Sequence, residues 1–178
     1  MIKNIIIGKK SIITKYIQKY LKYTYVFSAN ELTEHNLNKV VKKCKRINLI
    51  FNNFYPSKNL NSLDIDNFKK FCELSIQKTS SVLESVPSSK INKIIYTSSS
   101  SVYRISENLN GQNKDSFNRE LYSSFKLAAE KLILNYSKRK KKNYFIMRLF
   151  NTYGNIEDRF SFIENIIDSK KKIRELAS

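Results

Sequence analysis

Short apolar runs alternate along this chain with segments whose apolar residues recur at helical spacing, and that alternation limits the fold more than any other feature. Lys3 to Gly8, centred on Ile5-Ile6-Ile7, reads as a buried strand, because consecutive isoleucines fit a parallel strand covered on both faces. From Ser11 to Lys22 the residues Ile12, Ile13, Tyr16, Ile17, Tyr20 and Leu21 line one helix face. Tyr25 to Ser28 is a second strand, and Thr33 can cap a helix that turns Leu37, Val40, Val41 and Cys44 inward. Asn48 to Phe51 is a third strand. The polar segment Tyr55 to Leu63, with Pro56, is a loop. Asp64 or Asp66 then caps a long helix with Phe68, Phe71, Cys72, Leu74, Ile76, Val82 and Leu83 on its face, ending near Pro87. Lys93 to Thr97 is the fourth strand. The polar stretch Arg104 to Asn118 is long for a connection and is a candidate active-site loop. A helix carrying Tyr122, Phe125, Ala129, Leu132, Ile133 and Tyr136 follows, and Tyr144 to Leu149 is the fifth strand.

Strands alternating with helices in this way predict an α/β fold, a doubly wound parallel sheet with helices on both faces and right-handed crossovers. Ligands of such sheets bind beyond the carboxyl ends of the strands. Gly8, Ser28, Asn52, Ser99 and Leu149 fall at those ends.

The length of 178 residues suits one domain with a real core, and a hydrophobic content of 41% is that of a folding chain. The formal net charge of +18 resembles a nucleic-acid or anionic-membrane signal. The excess is nearly all lysine, however, spread along the chain with many Asn and Ile and only 3 Gly, the bias of an A- and T-rich coding sequence. Its runs, Lys138 to Lys142 and Lys170 to Lys172, suit helix C-termini. Charge alone therefore does not point to nucleic acid. Cys44 and Cys72 stand apart without metal-like spacing, as reduced thiols of a cytoplasmic protein do. A zinc site or a serine triad would have to be built from His35, the sole histidine. Lys9 and Lys10 interrupt the N-terminal isoleucines at once, so neither a signal-peptide core nor a membrane span is expected.

Chemistry concentrates between Ile94 and Asn151. Tyr122 and Lys126 are four residues apart, a spacing that turns both side chains to one side of a helix. An ammonium beside a tyrosine favours the phenolate and lowers its pKa toward the range where a general acid or base works best. With 11 tyrosines in the chain, about one or two Tyr-x-x-x-Lys pairs arise by chance, and Tyr136 with Lys140 is a second instance. A tyrosine at the core edge beside a solvated lysine is the bland reading of any such pair. Context separates the two, because only Tyr122 follows an apolar run ending in hydroxyls, Ile94-Ile95-Tyr96-Thr97-Ser98-Ser99-Ser100-Ser101-Val102-Tyr103.

Three blocks carry a family resemblance: Ile95 through Tyr103; Tyr122-Ser123-Ser124-Phe125-Lys126-Leu127-Ala128-Ala129-Glu130-Lys131; and Arg148-Leu149-Phe150-Asn151-Thr152-Tyr153-Gly154. In this order and spacing they resemble the extended short-chain dehydrogenases, the NAD-dependent epimerase/dehydratase family that acts on nucleotide sugars. The direct path from Phe27-Ser28-Ala29-Asn30-Glu31-Leu32-Thr33 to Asn48-Leu49-Ile50-Phe51-Asn52-Asn53 is more weakly similar to the dTDP-4-dehydrorhamnose reductase branch.

The resemblance implies a Rossmann-like domain over residues 1–154 that binds NAD or NADP, with residues 155–178 starting a substrate lobe that is largely absent. It makes Tyr122 the acid/base and Lys126 the group that lowers its pKa and bonds the nicotinamide ribose. Ser99 would bond the reacting oxygen, with Ser98 and Ser100 close enough to share that assignment, and Asn151 would meet the sugar substrate. Leu149 and Phe150 would lie beside the nicotinamide. The family's G-x-x-G-x-x-G turn appears as Gly8-Lys9-Lys10-Ser11-Ile12-Ile13-Thr14, so Gly8 and Ser11 would meet the pyrophosphate while Thr14 crowds the helix against the strand. The acidic residue often found at the end of the second strand is replaced by Ser28 or Asn30, which leaves NAD and NADP both open. The implied activity is NAD(P)-dependent epimerisation, dehydration or reduction of a nucleotide sugar. The alternative is a truncated, inactive relative acting as a nucleotide-binding or interaction module. Implied partners are a nucleotide sugar and either a second copy, paired through the helix of Tyr122 and the long helix before the fourth strand, or a second chain that supplies the missing lobe.

Overall fold

The computed structural model describes residues 1–52, 65–104 and 114–150. The expected loop Tyr55 to Leu63, the Asp64 cap, Asn151 and the division after Gly154 lie outside them. The elements run β1 (Ile2–Ile7), α1 (Ile12–Tyr20), β2 (Thr24–Phe27), α2 (Glu34–Lys42), β3 (Arg46–Phe51), α3 (Ile65–Cys72), a π turn (Glu73–Gln77), α4 (Lys78–Ser85), a 3-10 turn (Ser88–Lys90), β4 (Ile91–Ser99), a second 3-10 turn (Ser100–Arg104), α5 (Lys114–Arg139) and β5 (Asn143–Leu149). The chain divides into two compact units, Met1–Arg148 and Leu149–Ser178. Of the second, only Leu149 and Phe150 are described.

The five strands form one Rossmann-like parallel sheet in the order β2-β1-β3-β4-β5. Register places Ile5 beside Tyr25 and Leu49, and Leu49 beside Ile94, so the apolar runs become adjacent rungs. Because side chains alternate along a strand, Ile5, Ile7, Leu49, Phe51, Ile94 and Tyr96 share one buried cluster with Leu37 and Val41 of α2, Leu83 of α4 and Ile133 of α5. Ile6 and Ile50, at intervening positions, are buried too, so the sheet is covered on both faces. At about 25 cal/mol per Å² of apolar area, this burial is the main driving force for the fold.

Local signals behave as the sequence led one to expect at α2, where the Thr33 hydroxyl accepts from the Asn36 amide at 3.2 Å, an N-cap worth about 1 kcal/mol. Three elements differ. The α1 stripe is only half used, since Tyr16 and Tyr20 are exposed and only Thr14 is fully buried. The long helix before β4 carries a π turn in its middle, and the Thr79 hydroxyl donates to the Ser75 carbonyl at 2.8 Å. The polar stretch Arg104 to Asn118 is partly helical, because α5 begins at Lys114. Among the described residues no helix is long and apolar enough to cross a membrane.

Candidate active site

The turn after β1 shapes the first half of the site. Gly8 has φ 116°, a left-handed conformation that a Cβ would resist. Its amide and that of Lys9 both donate to the Phe27 carbonyl, at 2.9 and 3.1 Å, tying the turn to the end of β2. Ser11 occupies the N-cap of α1 but its side chain makes no capping bond, and the first turn of α1 contains no acidic residue. The amides at this helix start therefore suit a phosphate.

Two neighbouring groups complete the turn; sequence reasoning singled out Thr14 only as an obstruction and did not single out Glu31. Thr14, where the family has its third glycine, is fully buried, and its hydroxyl accepts from Asn52 Nδ2 at 3.0 Å. Asn52 Oδ1 in turn accepts from the Thr97 hydroxyl of β4. The expected crowding by Thr14 is thus resolved as a buried hydrogen-bond chain linking α1, β3 and β4. Glu31 lies just past β2; its carboxylate accepts from the Ser28 amide at 2.9 Å and pairs with Lys9 Nζ at 2.8 Å. The bond from Lys9, then those from Ser28, hold the Glu31 carboxyl at about 2. Sequence reasoning placed Ser28 or Asn30, not an acid, at the end of β2 and passed over Glu31. The signal that could have found it is Ser28-x-x-Glu31, whose members bond reciprocally, the Glu31 amide donating to Ser28 Oγ at 3.3 Å.

The second half is built by β4 and α5. Lys126 is buried, with its Nζ donating to the Thr97 carbonyl at 2.8 Å. It lies 5.2 Å from the ring centre of Tyr96 and 5.8 Å from that of Tyr122. Burial pushes the Lys126 ammonium down to about 7, against the opposing charge of Glu130. Tyr122 packs edge-on against Phe71 of α3, ring centres 6.1 Å apart, and Phe71 meets Phe125 at 4.7 Å. Burial pushes the Tyr122 phenol up to about 12. This reverses the direction expected from sequence. The spacing brought the two groups together, but desolvation outweighs the ammonium, whose own charge burial weakens.

The hydroxyls after β4 are divided by burial. Ser98 is buried and its Oγ makes no hydrogen bond among the described residues. Ser99 and Ser100 are half-buried. Ser99 Oγ accepts from the amide of Ser101 at 3.2 Å and lies 3.0 Å from its hydroxyl. One turn beyond Lys126, Glu130 is buried and takes both guanidinium bonds of Arg148, at 3.0 and 2.7 Å. Sequence reasoning missed this pair as well. In the first unit the structure therefore brings Lys126 and Tyr122 together, joins Lys126 to the last turn of β4, and leaves Gly8 and Ser11 at the turn after β1. In the second unit Leu149 is half-buried and Phe150 exposed.

The profile of the NAD dependent epimerase/dehydratase family matches residues 32–173. No curated protein matches the sequence significantly. Among solved structures, the UDP-glucuronic acid 4-epimerase of Bacillus cereus, in complex with UDP-glucuronic acid and NAD, superposes with a TM-score of 0.67 at 20% identity, over 96% of this chain and 63% of that one. The UDP-N-acetylglucosamine 4-epimerase of Methanobrevibacter ruminantium, in complex with UDP-N-acetylmuramic acid, gives 0.64 at 16% identity over 94% and 63%. The UDP-glucose 4-epimerase of Brucella ovis, in complex with NAD, gives 0.62 at 17% identity over 90% and 55%. At these identities the likeness is one of fold, and the chain spans 55% to 63% of the length of the three.

Proposed function

The chain belongs to the NAD dependent epimerase/dehydratase family, and from that membership we propose that it binds NAD at the turn after β1 and moves a proton and a hydride at one carbon of a nucleotide sugar. The observation that carries this reading is Lys126, buried one helical turn from Tyr122 with its ammonium bonded to the carbonyl of Thr97. Burying an amine in an apolar setting opposes folding, and a group kept at that cost with a perturbed pKa is a candidate for chemistry. Residues 1–154 are then the dinucleotide-binding domain and residues 155–178 the start of the substrate lobe.

The turn residues fit the cofactor. Gly8 permits close backbone approach, the uncapped start of α1 offers amides to a pyrophosphate, and Lys9 adds positive charge. The ionised Glu31 carboxylate just past β2 suits ribose hydroxyls even while paired with Lys9, which favours NAD over NADP. NAD, when bound, takes up or returns the hydride.

The side chains of this chain handle the proton. A phenol near 12 is protonated at neutral pH, so Tyr122 is set to donate to an oxygen that gains charge. In the opposite direction Tyr122 must start as the phenolate to take the proton from a sugar hydroxyl, and a protonated Lys126 is the cation that stabilises it. Ser99, with Ser100 beside it, donates a hydrogen bond to the same sugar oxygen.

A titration of the purified chain with NADH and NADPH, followed by tyrosine quenching and nicotinamide emission, tests the reading. NADH is expected to bind at least about tenfold more tightly than NADPH, a difference of about 1.4 kcal/mol. The buried Thr14, where the family keeps a glycine, favours the second reading, an inactive interaction module. Absence of binding at about millimolar NADH, far weaker than a working site needs, would decide for it.

A further inference from the structure

Lys126 can stabilise a phenolate only while it carries its proton, and burial works against that charge. The charged and titratable groups around it are few among the described residues. Tyr96 faces it from β4, and Tyr122 and Glu130 lie one turn to either side of it on α5. Behind Glu130 stand Arg148 of β5, which grips both carboxylate oxygens, and Tyr103 of the 3-10 turn, whose ring centre lies 4.6 Å from the guanidinium carbon. Glu130 is thus the one anion by charge in this group, and it is shared between a lysine on its own helix and an arginine on the neighbouring strand.

The sharing is unequal. Arg148 has the direct, two-pronged contact, and the bond to Glu130 raises its pKa further above the ordinary arginine value. Only the remaining field of Glu130 reaches Lys126. If the arginine were missing, the full charge would act on the lysine; if the glutamate were missing, the lysine would keep only the Thr97 carbonyl in its apolar pocket, with Arg148 left unpaired nearby.

We propose that Glu130 and Arg148 form a charge-setting pair for Lys126, in which Glu130 holds the proton on the lysine and Arg148 limits how firmly it is held. Glu130 and Arg148 are therefore positioning residues for the reaction proposed above, on which this inference rests for its purpose though not for its test. The pair lets Lys126 be charged when it faces a phenolate without becoming locked in a salt bridge of its own.

The test is a pH titration of the Lys126 13Cε resonance in protein labelled with 13C-lysine, assigned by its loss in Lys126→Met. Neither cofactor nor sugar is needed, so a chain that fails to bind NADH still gives an answer here. The wild-type midpoint is expected at about 7. Glu130→Gln is expected to lower it by about one pH unit and Arg148→Met to raise it by about as much. Arg148→Lys should stay near wild type, and Glu130→Gln with Arg148→Met should fall below wild type. A purely structural pair predicts something else, because loosening the site admits water and raises the midpoint in every variant. A rise in Glu130→Gln, or no change, therefore overturns the proposal. Should Arg148→Met not fold, the double variant, which removes both charges together, decides the matter by the direction of its shift.

Discussion

The two ends of the sheet use asparagine in different ways. Toward the amino end, Asn4, Asn48 and Asn92 form a ladder across β1, β3 and β4, with side-chain bonds of 2.9 and 2.8 Å between neighbours. Its ends are closed as well: Asn4 donates to the Lys22 carbonyl at 3.1 Å, and Arg46 donates to Asn92. The β3–β4 register shifts between Ile47 and Asn48, so that Asn92 falls between the rungs Ile47–Ile91 and Asn48–Lys93. At the carboxyl end, Asn52 instead joins a helix to a strand through Thr14 and Thr97, and the carbonyl of Thr97 holds Lys126. Beside it, the buried Ser98 hydroxyl has no partner among the described residues, and two phenols and an amine sit in an apolar setting. One end satisfies its polar groups to fix register; the other keeps groups whose burial costs stability. The contrast separates polar groups that close on one another from buried groups at the carboxyl end on which the proposed site draws.

If that division is right, changes at the carboxyl end should affect chemistry far more than folding. The largest effect is expected for Tyr122→Phe, which removes the transferable proton while leaving the contact with Phe71 intact. Turnover of an accepted nucleotide sugar should fall by about 10²- to 10⁴-fold, while unfolding stability changes by no more than about 1 kcal/mol. Equal losses in turnover and stability would break the comparison.

A second, pH-dependent effect follows from Lys126. Its pKa is lowered to about 7 in the folded protein, against an ordinary value of about 10.4 in the unfolded chain. Between these values the unfolded chain binds more protons, so stability rises with pH, by at most about 1.4 kcal/mol per unit from this group. Above about pH 10 the sign changes, because the unfolded chain releases tyrosine protons that the folded protein retains, with Tyr122 raised to about 12 and Tyr96 also raised. Urea denaturation across this range should show a maximum in the alkaline region, and Lys126→Met should flatten the rising limb. A slope unaffected by that substitution would mean that the amine is already solvated.

At the amino end the expectation is reversed. Asn48→Ala leaves Asn4 Oδ1 and Asn92 Nδ2 without their partner. It should cost about 2 kcal/mol in denaturant unfolding while NADH affinity stays as it was. Loss of affinity with little loss of stability would place the ladder on the functional side of the division.

Much of the fold was legible because its signals are local. The isoleucine run of β1, the Thr33 cap and the spacing of Tyr122 with Lys126 each depend on a few neighbouring residues. Most of what escaped depends on residues far apart in sequence, the start of α5 excepted. The start of α5 at Lys114 was hidden by Lys114-Asp115-Ser116, a polar run without helical periodicity. The raised phenol of Tyr122 depends on Phe71, delivered by another helix, and charge spacing alone favoured the opposite direction. Glu130 stood in plain view beside Lys126, but its meaning required Arg148 from β5. Thr14 was read as an obstruction because its partner, Asn52, meets it only when β3 lies against α1.

Thr14 gives the smallest and most pointed test, since it stands where function asks for glycine yet is treated by its surroundings as part of the core. Thr14→Ser keeps the hydroxyl that accepts from Asn52 and should unfold almost as the wild type does. Thr14→Val keeps the shape but leaves Asn52 Nδ2 without this bond in a buried site, which should cost about 1 kcal/mol. Neither should change NADH affinity, because the hydroxyl points to β3 rather than outward. Thr14→Gly separates packing from binding: it creates space, loses the bond and adds the flexibility of glycine in a helix, for a cost of about 2 kcal/mol. If Thr14→Gly also tightened NADH binding severalfold, the buried threonine would be an obstruction after all, and the carboxyl end of this sheet would have exchanged part of its ligand site for the kind of closed hydrogen bonding seen at the amino end.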